Sequence, residues 1–219
     1  MFVKHKKKSF LVIGLGRFGS NFARYASQLG CEVVAVDENH EKAAALVEEV
    51  GEAFSGNIHD EVFLKTLGIP DFDAVIVAIG QDVESSILIA ATVKDLGAKY
   101  VISRASHDLH EKILKKIGSD WVITAEKEMG KKLALSLYSN VIDSFDLSEN
   151  FKFVETRVIE DWIGKKVSEI SFFAIKDLML VATKRQESII LNKNDDFIFE
   201  SGDIIVICGE NKVLMKLNE

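Results

Sequence analysis

A glycine-rich segment near the N-terminus has the residue types and spacing of a phosphate-binding turn. It follows the pattern GxGxxG and consists of Gly14, Leu15, Gly16, Arg17, Phe18 and Gly19. The first glycine permits a tight turn, the second lets backbone N–H groups approach a phosphate, and the third lets a helix pack closely on a strand. Unpaired N–H groups at the start of the next helix would add a partial positive charge. A structural glycine turn without a ligand is the alternative.

Two carboxylates, Asp37 and Glu38, follow the second apolar run of the chain. A carboxylate at the end of the second strand of a dinucleotide-binding unit accepts hydrogen bonds from ribose hydroxyls. Two negative charges there would repel a 2′-phosphate, which disfavours NADP. Nucleotides with a free ribose diol, namely NAD(H), ATP and ADP, all remain. A surface aspartate without a ligand is the alternative for Asp37.

Other candidate residues are expected where further strands end, because ligands bind at the carboxyl ends of the strands in open α/β sheets. Arg17 can neutralise a terminal phosphate through paired hydrogen bonds, or can simply face solvent. The Asn57 amide can read an adenine edge or close a turn, and Arg104 can contact phosphate or form a surface ion pair. The remaining candidates are Ile58, Ala78, Ile79 and Gly80.

The elements that must position these residues alternate between short apolar strands and longer amphipathic helices. We predict strands over residues 10–13, 32–36, 53–55, 74–78, 100–103 and 121–123, and helices over 18–29, 41–50, 60–67, 84–96, 109–117 and 128–138. Near-continuous apolar strands separated by helices are typical of a parallel sheet covered on both faces. The sequence therefore predicts an α/β fold with a Rossmann-like, doubly wound parallel sheet.

The sequence pattern changes after residue 126, where alternating apolar and polar residues, typical of strands, replace the repeat of strand and helix. We predict strands over residues 151–158, 179–183 and 204–208, with strand-like sequence from residue 145 and short helices at 166–170 and from 211. This pattern indicates a smaller C-terminal α+β domain. We place a nucleotide-binding domain at residues 1–143 and the second domain at 144–219.

Composition excludes several classes of protein. The net charge of −7 and the pI near 5.4 argue against nucleic-acid binding, although one basic cluster stands at residues 4–8. No apolar run approaches the roughly 18–20 residues that cross a bilayer. The N-terminus has no secretory pattern, and Cys31 and Cys208 form neither a zinc motif nor a disulfide framework. We expect a cytoplasmic protein.

The side chains that a dehydrogenase would need are missing from the sequence. Hydride transfer requires a proton-transfer group beside the nicotinamide, and no histidine stands in a recognisable catalytic setting. His107 and His110 have a spacing that can bind a metal, but no third ligand stands nearby, so a helix-start cluster is the favoured interpretation. We expect no catalysis, and we interpret the nucleotide as a signal rather than a reactant.

The chain resembles the Ktr/Trk family of potassium-uptake regulatory subunits of RCK type. The similarity is carried by residues 10–19 (FLVIGLGRFG), 36–37 (VD), 75–80 (VIVAIG) and 127–130 (KEMG) in the first domain. Residues 163–167 (IGKKV) and 201–206 (SGDIIV) match the C-terminal RCK_C, or TrkA-C, domain. The resemblance implies an octameric ring of dimers, attached at the inner face of the cell membrane to a KtrB/TrkH-like K⁺-translocating subunit.

The resemblance also implies ligands and residue roles. ATP and ADP would favour different ring shapes, with Arg17 and Arg104 on phosphate, Asp37 and Glu38 on ribose, and Asn57 on the adenine side. Glu126 would help hold Mg²⁺ or Ca²⁺ near the γ-phosphate at a dimer interface, with helix capping as the alternative role. The residue before Glu126 is alanine, where the family usually has proline.

In several relatives the C-terminal domain binds cyclic di-AMP between two subunits. This chain has one proline, Pro70, so the family's usual prolines in the C-terminal strands are absent, and residues 192–194 (NKN) replace part of that pattern. Cyclic di-AMP binding and a plain dimerisation unit therefore both remain open for this domain.

Three functional hypotheses follow. The leading one is a nucleotide-gated regulator of potassium uptake that performs no chemistry. The second is an NAD(H)-dependent oxidoreductase or redox sensor, because the glycine turn and Asp37 suit NAD(H) equally well. The third is a structural dimerisation protein that binds no nucleotide.

Replacing Arg17 with alanine is predicted to weaken ATP binding and leave the fold intact. Losing one charge-assisted contact typically costs about 1.5–3 kcal/mol of binding free energy. Isothermal titration calorimetry of the native protein and Arg17→Ala measures this difference directly. Unchanged affinities for both ATP and ADP would contradict a phosphate-binding role for Arg17.

Overall fold

A computed structural model of the chain describes residues 7–191 and 196–218. Most of the basic cluster at 4–8 and all of residues 192–194 lie outside the described residues. The described residues divide into two compact units, with the division after Lys127. Within the described part, no helix is both long and apolar enough to cross a membrane.

The first unit contains the predicted parallel sheet. Its strands are β1 (Ser9–Ile13), β2 (Glu32–Asp37), β3 (Gly51–Ser55), β4 (Ala74–Val77), β5 (Val101–Arg104) and β6 (Trp121–Ile123). Their spatial order is β3-β2-β1-β4-β5-β6, and every neighbouring pair is parallel. This is the doubly wound order, and the predicted Rossmann-like fold is confirmed.

Helices cover both faces of this sheet. They are α1 (Arg17–Gln28), α2 (His40–Val50), α3 (Glu61–Thr66), α4 (Val83–Asp95) and α5 (Asp108–Lys116). Helix α6 (Ala125–Tyr138) follows β6, runs past residue 127 and has no buried residue. One core packs the β1, β4 and β5 side chains against α4 and α5, and a second packs the opposite face against α1 and α2. Because the side chains on both faces of the sheet are buried, the sequences of these strands are continuous apolar runs.

The strand order reverses between β1 and β4. The chain enters α1 from β1 on one side of this point, and it enters α4 from β4 on the other. The crevice outside the carboxyl ends of these two strands is the place where open α/β sheets bind ligands. Sheet topology therefore brings the glycine turn and the β4–α4 segment to one edge.

The second unit is built on an antiparallel sheet. Its strands are β7 (Val141–Asp146), β8 (Phe151–Arg157), β9 (Leu178–Arg185), β10 (Ser188–Leu191) and β11 (Ile204–Glu210), with a short helix α7 (Asn211–Leu214) after the last. Their spatial order is β10-β9-β11-β8-β7. The predicted smaller α+β domain is confirmed, and the helix expected at 166–170 is a 3-10 turn at Val167–Glu169.

The two compact units divide earlier in the chain than the boundary proposed at 143/144. Residues 141–143 begin β7, which pairs with β8 through contacts such as Val141 with Thr156. They therefore belong to the antiparallel unit. The alternating pattern of β7 is weak because Asp143 and Ser144 interrupt its apolar residues, which is why the sequence indicated strand-like character only from residue 145.

A cluster of aromatic rings fills the core of the second unit. Trp162 has ring centroids of Phe172, Phe173 and Phe199 within 5.0–6.2 Å, and Phe199 is completely buried. Offset and tilted ring pairs of this kind contribute beyond the area that they bury. The unit thus obtains a dense core from few residues.

One buried ion pair fixes the turn before β11. Asp203 is 1% exposed, and its carboxylate accepts hydrogen bonds from Arg185 Nε at 2.8 Å and Nη2 at 2.7 Å, and from the Glu200 N–H at 2.9 Å. Burial alone would raise the pKa of Asp203, but the bonds from Arg185 and Glu200 outweigh it and hold the pKa below its usual value. This stabilisation is present at neutral pH and is lost as the pH falls through that lowered pKa.

Replacing Arg185 with alanine is predicted to destabilise the second unit by about 2–4 kcal/mol, because it leaves the Asp203 carboxylate buried without its partner. Urea unfolding followed through Trp162 fluorescence, in a Trp121→Phe background, measures the change. The matched control is Lys166→Ala, which removes the exposed pair with Asp196 and should cost under about 1 kcal/mol. Equal unfolding midpoints for the two variants would contradict a stabilising role of the buried pair between Arg185 and Asp203.

Candidate nucleotide-binding site

A cleft of about 420 Å³ opens at the carboxyl edge of the parallel sheet; we call it the sheet-edge cleft. The predicted residues that line it are Gly14, Gly16, Arg17, Asp37, Glu38, Ile58, Ala78, Ile79, Gly80 and Arg104. Lining residues that the sequence analysis did not single out are Lys42, His59, Gln81, Asp82 and Ser85. Segments at the carboxyl ends of β1 to β5 and the first turns of α1, α2 and α4 therefore converge on one concave surface.

The glycine turn has the backbone geometry that its sequence requires. Gly14 has a φ of +95°, and its N–H donates to the Val36 carbonyl at 2.8 Å. A Cβ on Gly19 would lie 2.0 Å from the Gly14 carbonyl oxygen, so the third glycine is needed for close packing of α1. A Cβ on Gly16 would meet nothing within 4 Å. The second glycine therefore leaves open space on the cleft side of the turn.

Asp37 is buried and already holds the turn in place. Its Oδ2 accepts the Leu15 N–H at 2.6 Å, and its Oδ1 accepts the Asn39 N–H at 2.9 Å. The Lys42 ammonium lies 3.4 Å from both carboxylate oxygens. An ionised carboxylate has about four acceptor positions, so capacity for a ribose hydroxyl remains. The interpretation of Asp37 as a ribose ligand alone was incomplete, because the same group also fixes the backbone of the turn.

Leu15 and Phe18 belong to the turn but do not line the cleft. Leu15 is buried, and Phe18 packs against the core between the sheet and α1. Leu15 therefore acts through its backbone N–H on Asp37, and Phe18 through packing.

Asn57 is exposed and lies outside the cleft lining. Its side-chain oxygen accepts the His59 N–H at 3.0 Å and closes a turn after β3. The observed contact of Asn57 is therefore a turn hydrogen bond, which is the alternative role considered for it. Its neighbours Ile58 and His59 line the cleft.

His59 connects two walls of the cleft. Its Nε2 lies 3.5 Å from Glu38 Oε1 at the end of β2 and 3.4 Å from Ser85 Oγ in the first turn of α4. Ser85 Oγ in turn donates to Asp82 at 2.5 Å. The hydrogen bonds from the Ser85 hydroxyl and then its N–H lower the pKa of Asp82. Sequence spacing gave no signal for this network, because its members come from three separate loops.

Arg104 lies across Gly80 in the sheet-edge cleft. A Cβ on Gly80 would lie 2.4 Å from Arg104 Nη1, so the guanidinium occupies the space that the glycine leaves. Its Nη2 pairs with Glu126 at the start of α6. Among the described residues its buried Nε has no hydrogen-bond partner. A donor without an acceptor in a cleft fits an arriving phosphate oxygen.

Glu126 lines an adjoining hollow of about 620 Å³ rather than the sheet-edge cleft. A hydrogen bond from its own backbone and then the pairing with Arg104 lower its pKa, with a smaller contribution from the charge of Arg17. Within the described ranges, no three histidine, cysteine or acidic side chains form a metal-binding group. The metal role of Glu126 stays a prediction.

His107 and His110 form a helix-start cluster. The His107 ring accepts the His110 N–H at 3.2 Å, and His110 Nδ1 accepts the Ser106 N–H at 3.2 Å. His110 is completely buried, and burial lowers its pKa, with a further contribution from His107. These contacts use the Nδ1 atoms of both rings, and among the described residues the buried Nε2 of His110 has no hydrogen-bond partner.

Comparison with known proteins assigns both units to domain families. The TrkA-N domain matches residues 10–125, and the TrkA-C domain matches residues 153–219. The chain is 36% identical over 204 residues to Ktr system potassium uptake protein C of Bacillus subtilis strain 168, covering 93% of this chain and 92% of that protein. The chain belongs to the TrkA-N/TrkA-C family of potassium-uptake proteins.

Solved structures of low sequence identity share the fold. The GsuK channel bound to NAD superimposes with a TM-score of 0.71 at 17% identity, and the match covers 99% of this chain and 40% of that one. GsuK bound to ADP has a TM-score of 0.53 at 18% identity, covering 63% of this chain and 37% of that one. The chain therefore spans less than half the length of these channel proteins.

Alanine substitutions at Gly19 and Gly16 are predicted to differ in how much unfolding free energy they cost. Gly19→Ala should lose at least about 2 kcal/mol of unfolding free energy, because its Cβ collides with backbone. Gly16→Ala, at an open helix start, should lose no more than about 1 kcal/mol. Thermal unfolding by circular dichroism compares the two. A Gly19→Ala protein as stable as Gly16→Ala would contradict the packing described here.

Proposed function

We propose that the protein is the cytoplasmic regulatory subunit of a potassium-uptake system, with an adenine nucleotide in the sheet-edge cleft as its signal. The observation that carries the proposal is the juxtaposition of the open Gly16 turn with Arg104, whose Nε is unpartnered among the described residues. Open space beside backbone amides and a buried cationic donor suit a polyphosphate. The Ktr relative supports the physiological context.

The charges in the cleft favour one orientation of the nucleotide. Arg17 and Arg104 line the cleft and would meet the phosphates, while Asp37 and Glu38 also line it and would meet the ribose. Ile58 is a further lining residue and would offer the base an apolar contact. The phosphates would meet the amides of the glycine turn and the ribose would meet the carboxylates, as in other dinucleotide-binding sheets.

Discrimination between ATP and ADP would arise at the phosphate end. A ligand shifts a conformational equilibrium only through different affinity for the two states, and the γ-phosphate is the one group that separates these ligands. Arg17 and the Arg104–Glu126 pair are the charged groups positioned to respond. A γ-phosphate that draws Arg104 away would free Glu126, which could then hold Mg²⁺ or Ca²⁺ together with a second subunit.

The proposal also includes the assembly of several copies of this protein with a membrane subunit. Dimers arranged in an octameric ring would transmit the nucleotide state to a membrane K⁺-translocating subunit, and the protein itself would perform no reaction. The TrkA-C unit would serve dimerisation, and cyclic di-AMP binding there remains a prediction.

NAD(H) is the second candidate ligand, and with it an oxidoreductase or redox-sensor role. It is favoured by the GsuK channel bound to NAD, which shares this fold. Asp37 and the glycine turn accept either ligand, so only binding measurements separate them.

Calorimetric titration of ATP, ADP and NADH, each with and without Mg²⁺ or Ca²⁺, tests the proposal. We expect ATP and ADP to bind with micromolar or tighter affinity, and Gly16→Ala to lose at least about tenfold because its methyl group enters the phosphate path. Absence of adenine-nucleotide binding, or NADH turnover with any substrate, would contradict it.

Potassium uptake tests the regulatory role separately. In bacteria that keep a Ktr membrane subunit but lack their own regulatory subunit, the native chain should restore uptake and Gly16→Ala should not. Equal restoration by both proteins would show that uptake control does not depend on the cleft.

A further inference from the structure

We propose that Gly80 is a positioning residue for Arg104: the missing side chain of Gly80 lets the Arg104 guanidinium lie in the sheet-edge cleft, where it binds a phosphate of the nucleotide. The inference rests on the proposed function, because it concerns how the same cleft binds an adenine nucleotide. It gives Gly80 a role other than the close approach of a ligand to the backbone.

Gly80 and Arg104 come from neighbouring strands at the carboxyl edge of the parallel sheet. Arg104 is the last residue of β5, and Gly80 follows the end of β4. The two strands pair in parallel, with Val77 beside Ser103, and both Gly80 and Arg104 line the cleft. The register of the strands therefore brings the segment after β4 against the side chain at the end of β5.

The guanidinium occupies the space that a side chain at position 80 would take. The three atoms nearest to an ideal Cβ on Gly80 all belong to the Arg104 guanidinium. Its Cζ would lie 2.7 Å from that Cβ, well below the roughly 3.5–4.0 Å at which non-bonded carbon atoms attract. On another side, Nη2 pairs with Glu126. The guanidinium is therefore held between Glu126 and the bare backbone of Gly80.

The backbone conformation at position 80 does not account for glycine there. Gly80 is not one of the glycines with a positive φ, whereas Gly14 has a φ of +95°, so left-handed strain is not the reason for its residue type. A methyl group at position 80 would meet the end of a flexible side chain rather than backbone. We therefore expect Gly80→Ala to fold and to displace the Arg104 guanidinium.

The place of the guanidinium matters because its hydrogen-bonding capacity is not used up. The Arg104 side chain is 18% exposed, and its buried Nε has no partner among the described residues. A guanidinium presents its donors in a rigid planar fork, so moving the group redirects every one of them. A phosphate oxygen that accepts from this fork needs the group where Gly80 lets it lie.

Calorimetric titration of ADP into a double-mutant cycle tests this coupling. Gly80→Ala alone should lower the ADP affinity at least about tenfold, which is the effect of losing one charge-assisted hydrogen bond. In an Arg104→Ala background the same substitution should change the affinity less than about twofold, because the group that it displaces is gone. Equal losses in both backgrounds would show that the methyl group acts without Arg104, which overturns the inference and leaves the proposed function standing.

Gly130→Ala is the matched control. Gly130 has no positive φ, and a Cβ there would meet nothing within 4 Å. This variant makes the same chemical change where no guanidinium lies against the glycine, so its ADP affinity should equal that of the native protein.

The crystal structure of Gly80→Ala without ligand gives a second readout that does not depend on affinity. The Arg104 guanidinium should have left its place beside residue 80. A guanidinium still in that place, or a Gly80→Ala protein with native ADP affinity, would overturn the inference. Failure of every protein, the native one included, to bind ADP would instead overturn the proposed function.

Discussion

The hydrogen bond from the Leu15 N–H to the buried Asp37 carboxylate is the contact on which the candidate site depends. At 2.6 Å it joins the glycine turn to the end of β2, and the neighbouring bond from the Gly14 N–H to the Val36 carbonyl strengthens the same junction. Charged acceptors form hydrogen bonds roughly twice as strong as neutral ones. The turn is thereby held open at Gly16 before any ligand arrives, so little ordering is left for binding to impose.

The partners of Asp37 explain how a buried carboxylate can hold the glycine turn. Asp37 is 7% exposed and would be costly to bury unpaired, but two amides and Lys42 satisfy it. Its remaining acceptor capacity faces the cleft, while Glu38 carries the more accessible charge. Arg104 also lines the cleft and pairs with Glu126. The lining of the cleft therefore combines two acidic side chains, Asp37 and Glu38, with the guanidinium groups of Arg17 and Arg104.

The sequence was sufficient for the parallel sheet, since continuous apolar strands and helix periodicity are local properties of the chain. The roles of Gly14 and Gly19 could also be predicted, because the φ of Gly14 and the close contact at Gly19 follow from the geometry of the turn itself. Lys42 and His59 could not be found in this way, because their roles arise from contacts between separate loops. Strand β10 was missed because it is a short edge strand with mostly exposed residues. Only the end of β7 was indicated, because polar residues interrupt its pattern.

The crystal structure of the protein with ADP tests the account most directly. We predict that the phosphates lie against the backbone amides at Gly16 and Arg17, with the ribose hydroxyls on Asp37 and Glu38 and the Leu15–Asp37 bond retained. ADP bound away from the sheet edge, or bound there only after the turn has lost its bond to Asp37, would contradict the account.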